Sequence, residues 1–440
     1  MEKFAKKNWV SLLLFGLVGQ IAWSVENMYF NLFVYESVYP SLDTVTLMVQ
    51  LSGIVATLIT LIVGTLSDKI GKRKVFICYG YMIWGITVAL FGALSPDKIG
   101  TLFGMEIEKA IPLCLVLVVV GDCIMTIFGS SANDACFNAW VTDNTKPDFR
   151  GRVESVLSVL PLIAMLIVAG GFGILVGLIG YFGLFLALGI VISICGVVGL
   201  FVIEDSKTLE KKGSFKDIIY GFKPSVIKNN KPLYLVLCIS GIYGIACQIF
   251  MPFLIIYMKT YLGFSVIEYS IVFGGAIIVG AIINLLVGPL TDKVDKTKLM
   301  YAGAGVMSVG LLLMYLFKDM DKIPLLILFG IAGFIMITGY IFFSAMCGAV
   351  TRDYTPVKDA GKLQGVRMIF NVLIPMLIGP EIGNAINRIR AIPLENAGAD
   401  AMTPAFVPAP EIFLVAAIFA LFTFILIPLL SKAVKKEKAE

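Results

Sequence analysis

Long apolar runs separated by short polar segments make up most of the chain. Each run is long enough to cross the hydrocarbon core of a membrane as a helix, which satisfies its own backbone hydrogen bonds. The pattern predicts an all-α membrane protein with twelve transmembrane helices. Their expected positions are roughly 9–36, 46–66, 75–95, 111–140, 154–178, 181–203, 232–258, 267–289, 299–317, 324–347, 363–386 and 411–430.

Lysine and arginine lie mainly in alternate polar segments. Membrane proteins keep these residues preferentially on the cytoplasmic side. With a cytoplasmic N-terminus, all but seven of the 35 fall in cytoplasmic segments, so both termini are predicted to be cytoplasmic. The seven exceptions are Lys98, Lys109, Lys259, Lys318, Lys322, Arg388 and Arg390.

One polar hairpin occurs twice along the chain. Residues 64–74 read GTLSDKIGKRK and residues 288–298 read GPLTDKVDKTK, with six of eleven positions identical at an offset of 224. A second pair of loops, after Val141 and after Val350, repeats mostly at an offset of 210. Two repeats predict two related six-helix bundles in parallel orientation. The bundles are expected at 1–203 and 232–440, joined by a basic cytoplasmic linker at 204–231.

The linker at 204–231 has its own pattern. Apolar residues recur at helical spacing from Phe215 to Val226, with lysines between them. Such a segment lies on a membrane surface with its apolar side inward. We expect a short amphipathic helix on the inner leaflet, with a disordered tether as the alternative.

The repeated hairpin resembles the signature between the second and third helices of the major facilitator superfamily. The resemblance implies a transporter fold in which this hairpin holds the inner side shut. Asp68 would lie against the start of the eleventh helix, Gly64 would let two helices approach closely, and Gly71 would form the turn. Arg73 would pair with Asp143 at the inner end of the fourth helix.

The second copy of the hairpin departs from the first. The resemblance implies a mirrored contact between Asp292 and the start of the fifth helix. The second copy, however, has Asp295 in place of the turn glycine and Thr297 in place of the arginine. This departure puts the second latch in doubt, and a role in topology alone stays open for all these residues.

Composition agrees with a membrane protein and removes several function classes. Hydrophobic residues make up 58% of the chain and charged residues 15%. The eight cysteines lie in apolar segments without a CxxC pair, and there is no histidine, the commonest metal ligand and proton shuttle. The net charge of +5 follows from cations at one membrane face, so we expect no nucleic-acid partner. No nucleotide-binding motif occurs, and we expect neither an enzyme nor a cofactor.

Three carboxylates lie at membrane depth in the N-terminal half. They are Glu26 on the first helix and Asp122 and Asp134 on the fourth. Charged side chains inside a membrane are costly and are usually functional. Twelve residues separate the two aspartates, just over three helical turns, so we expect them to point roughly the same way. Structural hydrogen bonding between helices is the alternative role.

Neutral groups complete the predicted binding site. Amides and aromatic rings can bind sugar hydroxyls and cover a sugar ring face. The C-terminal half has no acid matching Glu26 and offers only neutral groups. The neutral candidates are Trp23, Asn27, Tyr29, Asn133, Trp140, Gln248 and Asn371.

Acids confined to the first half resemble the glycoside–cation symporter and sucrose-transporter-like branches of the superfamily. The resemblance implies a monomeric secondary transporter of the plasma membrane that moves a small polar solute, a sugar or glycoside, coupled to H+ or Na+. A proton-coupled exporter of drugs or metabolites remains an alternative. A membrane sensor built on a transporter fold is an alternative of another class.

Overall fold

A computed structural model describes residues 6–145, 150–206, 219–287, 294–318, 320–356, 363–394 and 405–439. The chain forms two compact units, residues 1–218 and 219–440. The boundary falls inside the predicted linker 204–231. Within the described ranges, the backbone is helical apart from turns and one isolated bridge between Pro393 and Phe406.

The described residues of the first unit form nine α-helices, several of them interrupted by π-helical segments. Apolar side chains of α1, α4, α6 and α9 fill its core. The helices are α1 (Lys6–Val25), α2 (Asn31–Phe33), α3 (Leu42–Ile70), α4 (Lys74–Phe91), α5 (Pro96–Phe103), α6 (Ile107–Gly129), α7 (Asn138–Asn144), α8 (Arg150–Ile167) and α9 (Gly173–Val202). The π-helical segments are Glu26–Phe30, Val34–Val38, Ser130–Phe137 and Val168–Phe172.

The second unit contains nine further α-helices in its described residues. Short 3-10 turns at Tyr220–Phe222 and Met251–Phe253 and a π-helical segment at Ile369–Leu373 interrupt them. The helices are α10 (Pro224–Asn229), α11 (Lys231–Phe250), α12 (Leu254–Thr260), α13 (Val266–Val287), α14 (Lys296–Leu316), α15 (Lys322–Tyr354), α16 (Gln364–Met368), α17 (Ile374–Arg390) and α18 (Glu411–Ala439).

The two units share a packing pattern. In the first unit α1 packs on α8, α3 on α6 and α4 on α9. In the second unit α11 packs on α17, α13 on α15 and α14 on α18. Small residues allow close approach: a methyl group on Gly85 of α4 would lie 2.3 Å from the carbonyl oxygen of Gly189 on α9. The shared pattern is what a repeated architecture predicts.

Eleven helical segments among the described residues are long and apolar enough to cross a membrane. Ten correspond one to one with predicted helices. The eleventh, Val159–Val202, covers two predicted helices in one segment of 44 residues. A straight helix of that length would measure about 66 Å, twice the thickness of the hydrocarbon core.

The long segment is not straight. Gly180 has φ 68° and ψ 172°, a backbone conformation open almost only to glycine. It lies between the predicted helices 154–178 and 181–203. The difference between eleven segments and twelve predicted helices therefore arises at this one break.

Candidate functional site

Glu26 lies at the start of the π-helical segment that follows α1, and its side chain is only 7% exposed. The Ser52 hydroxyl on α3 donates a hydrogen bond to Glu26 Oε1 at 2.8 Å. The Thr126 hydroxyl on α6 lies 3.4 Å from the same oxygen and 3.0 Å from Ser52 Oγ. Hydroxyl groups from two other helices, α3 and α6, thus hold one oxygen of a buried carboxylate.

Asp122 lies one helical turn before Thr126 on α6 and is 2% exposed. Its Oδ1 atom and the second oxygen of Glu26, Oε2, are both buried without a hydrogen-bond partner. No described lysine or arginine forms an ion pair with either carboxylate. Buried polar atoms without partners are rare and costly, so two such carboxylates require a proton or a bound cation.

The geometry limits what can bind there. Among the described residues, no three Asp, Glu, Cys or His side chains come close enough to form a metal-ion site. Glu26 and Asp122 are nevertheless near enough to interact electrostatically, with Asp134 a further contributor. The arrangement is therefore a pair of interacting carboxylates supported by hydroxyl groups.

Asp134 lies within the π-helical segment Ser130–Phe137 and is partly exposed, with the side chains of Trp23 and Ser130 beside it. Its direction does not follow from a regular α-helical repeat. Twelve residues of regular α-helix rotate a side chain by about 120° relative to the first. The wider turn of the π-helical segment reduces that rotation. Without it, Asp134 would point well away from Asp122.

The structure assigns Asn133 a packing role. Its Nδ2 donates to the Tyr81 hydroxyl at 2.6 Å, and that hydroxyl donates to the Phe15 carbonyl at 2.7 Å. A methyl group on Gly19 would lie 2.2 Å from the Asn133 amide, so α1 closes this position. Asn133 is adjacent to Asp134 in sequence but belongs to the interior of the unit.

Of the predicted aromatic residues, only Trp23 keeps an accessible ring. It is partly exposed and packs against Trp84 with ring centroids 5.0 Å apart. Tyr29 is fully buried against Phe172, and Trp140 is fully buried with its Nε1 donating to the Glu204 carbonyl at 2.8 Å. Other side chains cover both rings in this conformation, and the expectation that Tyr29 or Trp140 covers a sugar ring stays a prediction.

The remaining predicted groups are accessible but dispersed. Asn27 is exposed, and its amide donates to the Trp23 carbonyl at 2.7 Å within its own helix. In the second unit, Gln248 is partly exposed, and Asn371 is exposed within the π-helical segment Ile369–Leu373. Their participation in a site with Glu26 stays a prediction.

Ser52 and Thr126 were missed by sequence analysis. Thr126 carried a usable signal, since it follows Asp122 by four residues and so shares its helix face. Ser52 carried none, because a serine within an apolar helix is usually bonded to its own backbone. Only tertiary packing brings its hydroxyl to Glu26, which lies on a different helix.

Arg73 is the centre of an ion network at the polar end of the first unit. It is 4% exposed and bonds to Ser67 and Asp68, and its Nε lies 3.0 Å from Asp143 Oδ2. The contact between Arg73 and Asp143 is the one the sequence suggested. Burial opposes the charged guanidinium, but Asp68 and then Asp143 outweigh it and raise the pKa of Arg73.

Asp205 completes this network and was also missed by sequence analysis. Its Oδ1 accepts hydrogen bonds from the backbone N–H groups of Arg73 and Lys74, at 2.8 and 2.9 Å. These groups begin α4 and have no partner within the helix. A carboxylate at this end also complements the helix dipole. Residues just after α9 therefore cap α4.

The glycines of the hairpin have different roles. Gly71 has φ 71° and ends α3 in a left-handed turn, with its N–H donating to the Ser67 carbonyl at 2.9 Å. At Gly64, a methyl group would have no neighbouring atom within 4 Å among the described residues. The close approach expected at Gly64 stays a prediction.

The second hairpin uses other residues to cap the helix that follows it and to form an ion pair. Asp292 lies outside the described residues. Asp295 caps α14 directly, accepting from the Thr297 N–H at 2.9 Å, where the first unit uses the distant Asp205. Lys296 pairs with Asp353 at 2.5 Å, in place of the arginine pair of the first unit. The substitutions of Gly71 and Arg73 thus come with a different local network.

Comparison with known proteins then identifies the family. The family model of the Major Facilitator Superfamily matches residues 12–380, with a second match over residues 236–440. The chain belongs to the Major Facilitator Superfamily. It is therefore a multi-pass membrane transporter of small molecules rather than an enzyme. A search among curated protein sequences gave no match.

Solved structures of several transporters share this fold at low sequence identity. A point variant of the nucleoside transporter NupG matches with a TM-score of 0.70 and 11% identity, over 96% of this chain and 99% of that one. A bacterial homologue of the human lysosomal transporter Spinster also gives 0.70, with 14% identity over 99% and 98%. A bacterial homologue of the iron transporter ferroportin gives 0.62, with 14% identity over 96% and 98%. At such identities these matches define the fold and not the cargo.

Proposed function

We propose that this superfamily member is a secondary active transporter that couples a small polar solute, a sugar or glycoside, to H+ or Na+. The main observation is the pair of buried oxygens, Glu26 Oε2 and Asp122 Oδ1, without hydrogen-bond partners. Loading a proton or cation there removes uncompensated charge from the membrane interior. A gradient of that ion can then bias which side of the membrane the transporter faces.

The sugar assignment is supported by the groups around this pair. The accessible ring of Trp23 and the partly exposed carboxylate of Asp134 beside it offer aromatic and hydrogen-bonding contacts of the kind that carbohydrates use. The nucleoside carried by the similar transporter NupG presents comparable ribose hydroxyls, so nucleosides belong in the test set. A partly exposed tryptophan also suits an apolar cargo, which keeps a proton-coupled exporter as the second candidate.

Transport by purified protein tests the proposal. The protein is reconstituted in liposomes, and uptake of a panel of sugars, glycosides and nucleosides is measured under an imposed proton or sodium gradient. We expect one cargo class to accumulate and an ionophore to abolish accumulation. Accumulation of hydrophobic drugs alone would support the exporter, and binding without flux would support a sensor.

We propose that the chain crosses the plasma membrane twelve times, with Gly180 at the outer turn between the fifth and sixth crossings. The bias of lysine and arginine supports cytoplasmic termini. Reporter fusions at Lys212 and Asn396 should then report the cytoplasm and the outside, respectively. Reports from the same side would contradict the twelve-crossing count. We also propose that the protein acts as a monomer.

We propose that the hairpin acts as a latch on the inner side. Asp68 bonds to Arg73 within its own unit, and the further contact with the start of the eleventh helix is the predicted one. Asp68→Asn should weaken a charge–dipole interaction of about 0.3–1 kcal/mol and shift the protein toward the inward-open state. Labelling of cysteines introduced on each side measures this shift. Unchanged labelling with normal transport would leave only a topological role.

A further inference from the structure

Residues 219–231 form a compact plate at the start of the second unit, and we call them the basic plate. They comprise the 3-10 turn Tyr220–Phe222 and helix α10, and lead directly into α11. Since α11 begins the candidate span Lys231–Thr260, the basic plate lies where that helix enters the membrane.

One side of the basic plate is fixed to the unit. Val226 belongs to a buried cluster formed with residues of α11 and the start of α16. The Tyr234 hydroxyl donates a hydrogen bond to the Gly221 carbonyl. A methyl group on Gly221 would lie 2.3 Å from Val366 Cγ2, so only glycine permits this approach. The members of the cluster are Val226, Leu233, Tyr234, Leu237, Leu363 and Val366.

The opposite side is exposed and carries two kinds of side chain. Ile219, Phe222 and Ile227 are 63%, 40% and 39% exposed. Exposed lysines lie among them, and residues 219–231 contain no acidic residue. None of these lysines forms an ion pair with another described residue. The lysines are Lys223, Lys228 and Lys231.

We propose that the exposed side of the basic plate binds anionic phospholipid headgroups. The lysines lie beside apolar side chains and have no acidic partner among the described residues. At the level where a helix enters the membrane, such a surface suits lipid, with acyl chains on one side and phosphate charge on the other. A soluble protein partner is less suited to this place, because lipid already occupies the level of the α11 entrance. The inference stands on these residues and does not depend on which solute is transported.

Lipid binding at the basic plate would act on the transmembrane part through its fixed side. Leu363 and Val366, which pack against it, lie at the start of the helix containing α16 and the π-helical segment Ile369–Leu373. Binding should therefore stabilise the second unit against heat, and should do so only with anionic lipid.

Native mass spectrometry of the full-length protein tests this inference. Purified protein is titrated with phosphatidylglycerol or phosphatidylcholine of the same chain length, and the bound lipid is counted. We expect selective binding of phosphatidylglycerol. In the triple variant Lys223→Gln/Lys228→Gln/Lys231→Gln, this binding should weaken at least tenfold, since each lysine near an anionic surface contributes about fivefold.

The matched control removes three charges elsewhere. The variant Lys432→Gln/Lys435→Gln/Lys436→Gln has the same net charge and should bind as the parent does. A second variant, Phe222→Ser/Ile227→Ser, keeps the lysines and should lose affinity through its apolar contacts. Thermal unfolding in lipid-free detergent establishes that each variant is folded.

Three outcomes would overturn the inference. Equal binding of phosphatidylglycerol and phosphatidylcholine would show that headgroup charge does not determine binding. Equal weakening of phosphatidylglycerol binding in the two triple lysine variants would mean that binding depends on net charge and not on the basic plate. Rapid aqueous labelling at Ser225→Cys, unchanged between nanodiscs of phosphatidylglycerol and phosphatidylcholine, would show the basic plate facing water and open to a protein partner instead.

Discussion

Glu26→Gln and Asp122→Asn are each expected to abolish accumulation of solute against its gradient. Each change replaces a carboxylate with a neutral amide of nearly the same shape. The neutral amide is not protonated and has no negative charge to attract a cation. The ion gradient can therefore no longer drive accumulation of the solute. Downhill exchange of solute should survive better in at least one variant, because exchange requires no net movement of the coupling ion. Proteoliposome uptake with and without an imposed gradient measures both activities.

Matched controls separate this effect from general damage. Glu106→Gln and Asp97→Asn make the same chemical changes at exposed positions of the first unit and should accumulate solute normally. Accumulation by both Glu26→Gln and Asp122→Asn at the level of the parent would make the two buried acids structural. The cation-coupled proposal would then lose its main support.

Ser52→Ala provides an intermediate test at the same place. The carboxylate stays, but Glu26 Oε1 loses the 2.8 Å hydrogen bond from Ser52. A hydrogen bond to a charged group contributes about 1.5–3 kcal/mol, equivalent to about tenfold or more in an equilibrium constant. We expect the variant still to accumulate solute, but with a changed dependence of uptake on the concentration of the coupling ion. Purely structural acids would lose stability in this variant without such a shift.

Much of the helical architecture could be predicted from the sequence. Apolar run length sets the spans, because a helix must cover the hydrocarbon core, and ten of the predicted spans match single segments of the structure. The predicted boundary at 179–180 contains Gly180, but its positive φ could not be predicted, since Gly177 and Gly183 nearby give the same sequence signal. The outcome there depends on φ and ψ values that tertiary packing selects.

The candidate site was only partly predictable. Acidic residues are rare inside apolar runs because charge at membrane depth is costly. This was enough to identify Glu26 and Asp122 as candidate site residues. The neutral residues of the site were harder to predict. In the sequence, Tyr29, Asn133 and Trp140 cannot be told from accessible binding groups, but the structure shows them buried or hydrogen-bonded. Burial of a polar aromatic depends on its neighbours, and the sequence does not state them.

Local helix geometry also escaped prediction. Three π-helical segments contain predicted site residues, with Glu26, Asp134 and Asn371 among them. Such segments are rare and concentrate at functional sites, where they change the direction of side chains. A regular 3.6-residue repeat assumed along the fourth predicted helix therefore gave the wrong geometric reason for aligning Asp122 with Asp134.

Arg73→Ala is expected to lower the free energy of unfolding of the first unit by about 3 kcal/mol. The guanidinium joins Ser67, Asp68 and Asp143 in one buried network, and its removal leaves two neighbouring carboxylates without their counter-charge. The value is at the low end for a broken buried ion pair, because Asp68 is 42% exposed. The cap of α4 should persist, since Asp205 bonds to the backbone at position 73. Thermal unfolding of the purified protein in detergent measures the loss.

Three further variants show whether the loss comes from the network. Lys72→Ala removes an exposed charge from the same hairpin and should change stability little. Arg73→Lys should rescue only partly, because one ammonium group cannot reproduce the planar guanidinium contacts to both carboxylates. Adding Asp143→Asn to Arg73→Ala should recover stability, since it removes one unpaired charge and gives a non-additive pair. Additive losses in the double variant, or equal losses for Lys72→Ala and Arg73→Ala, would mean that Arg73 contributes general surface charge and does not hold the hairpin to α7.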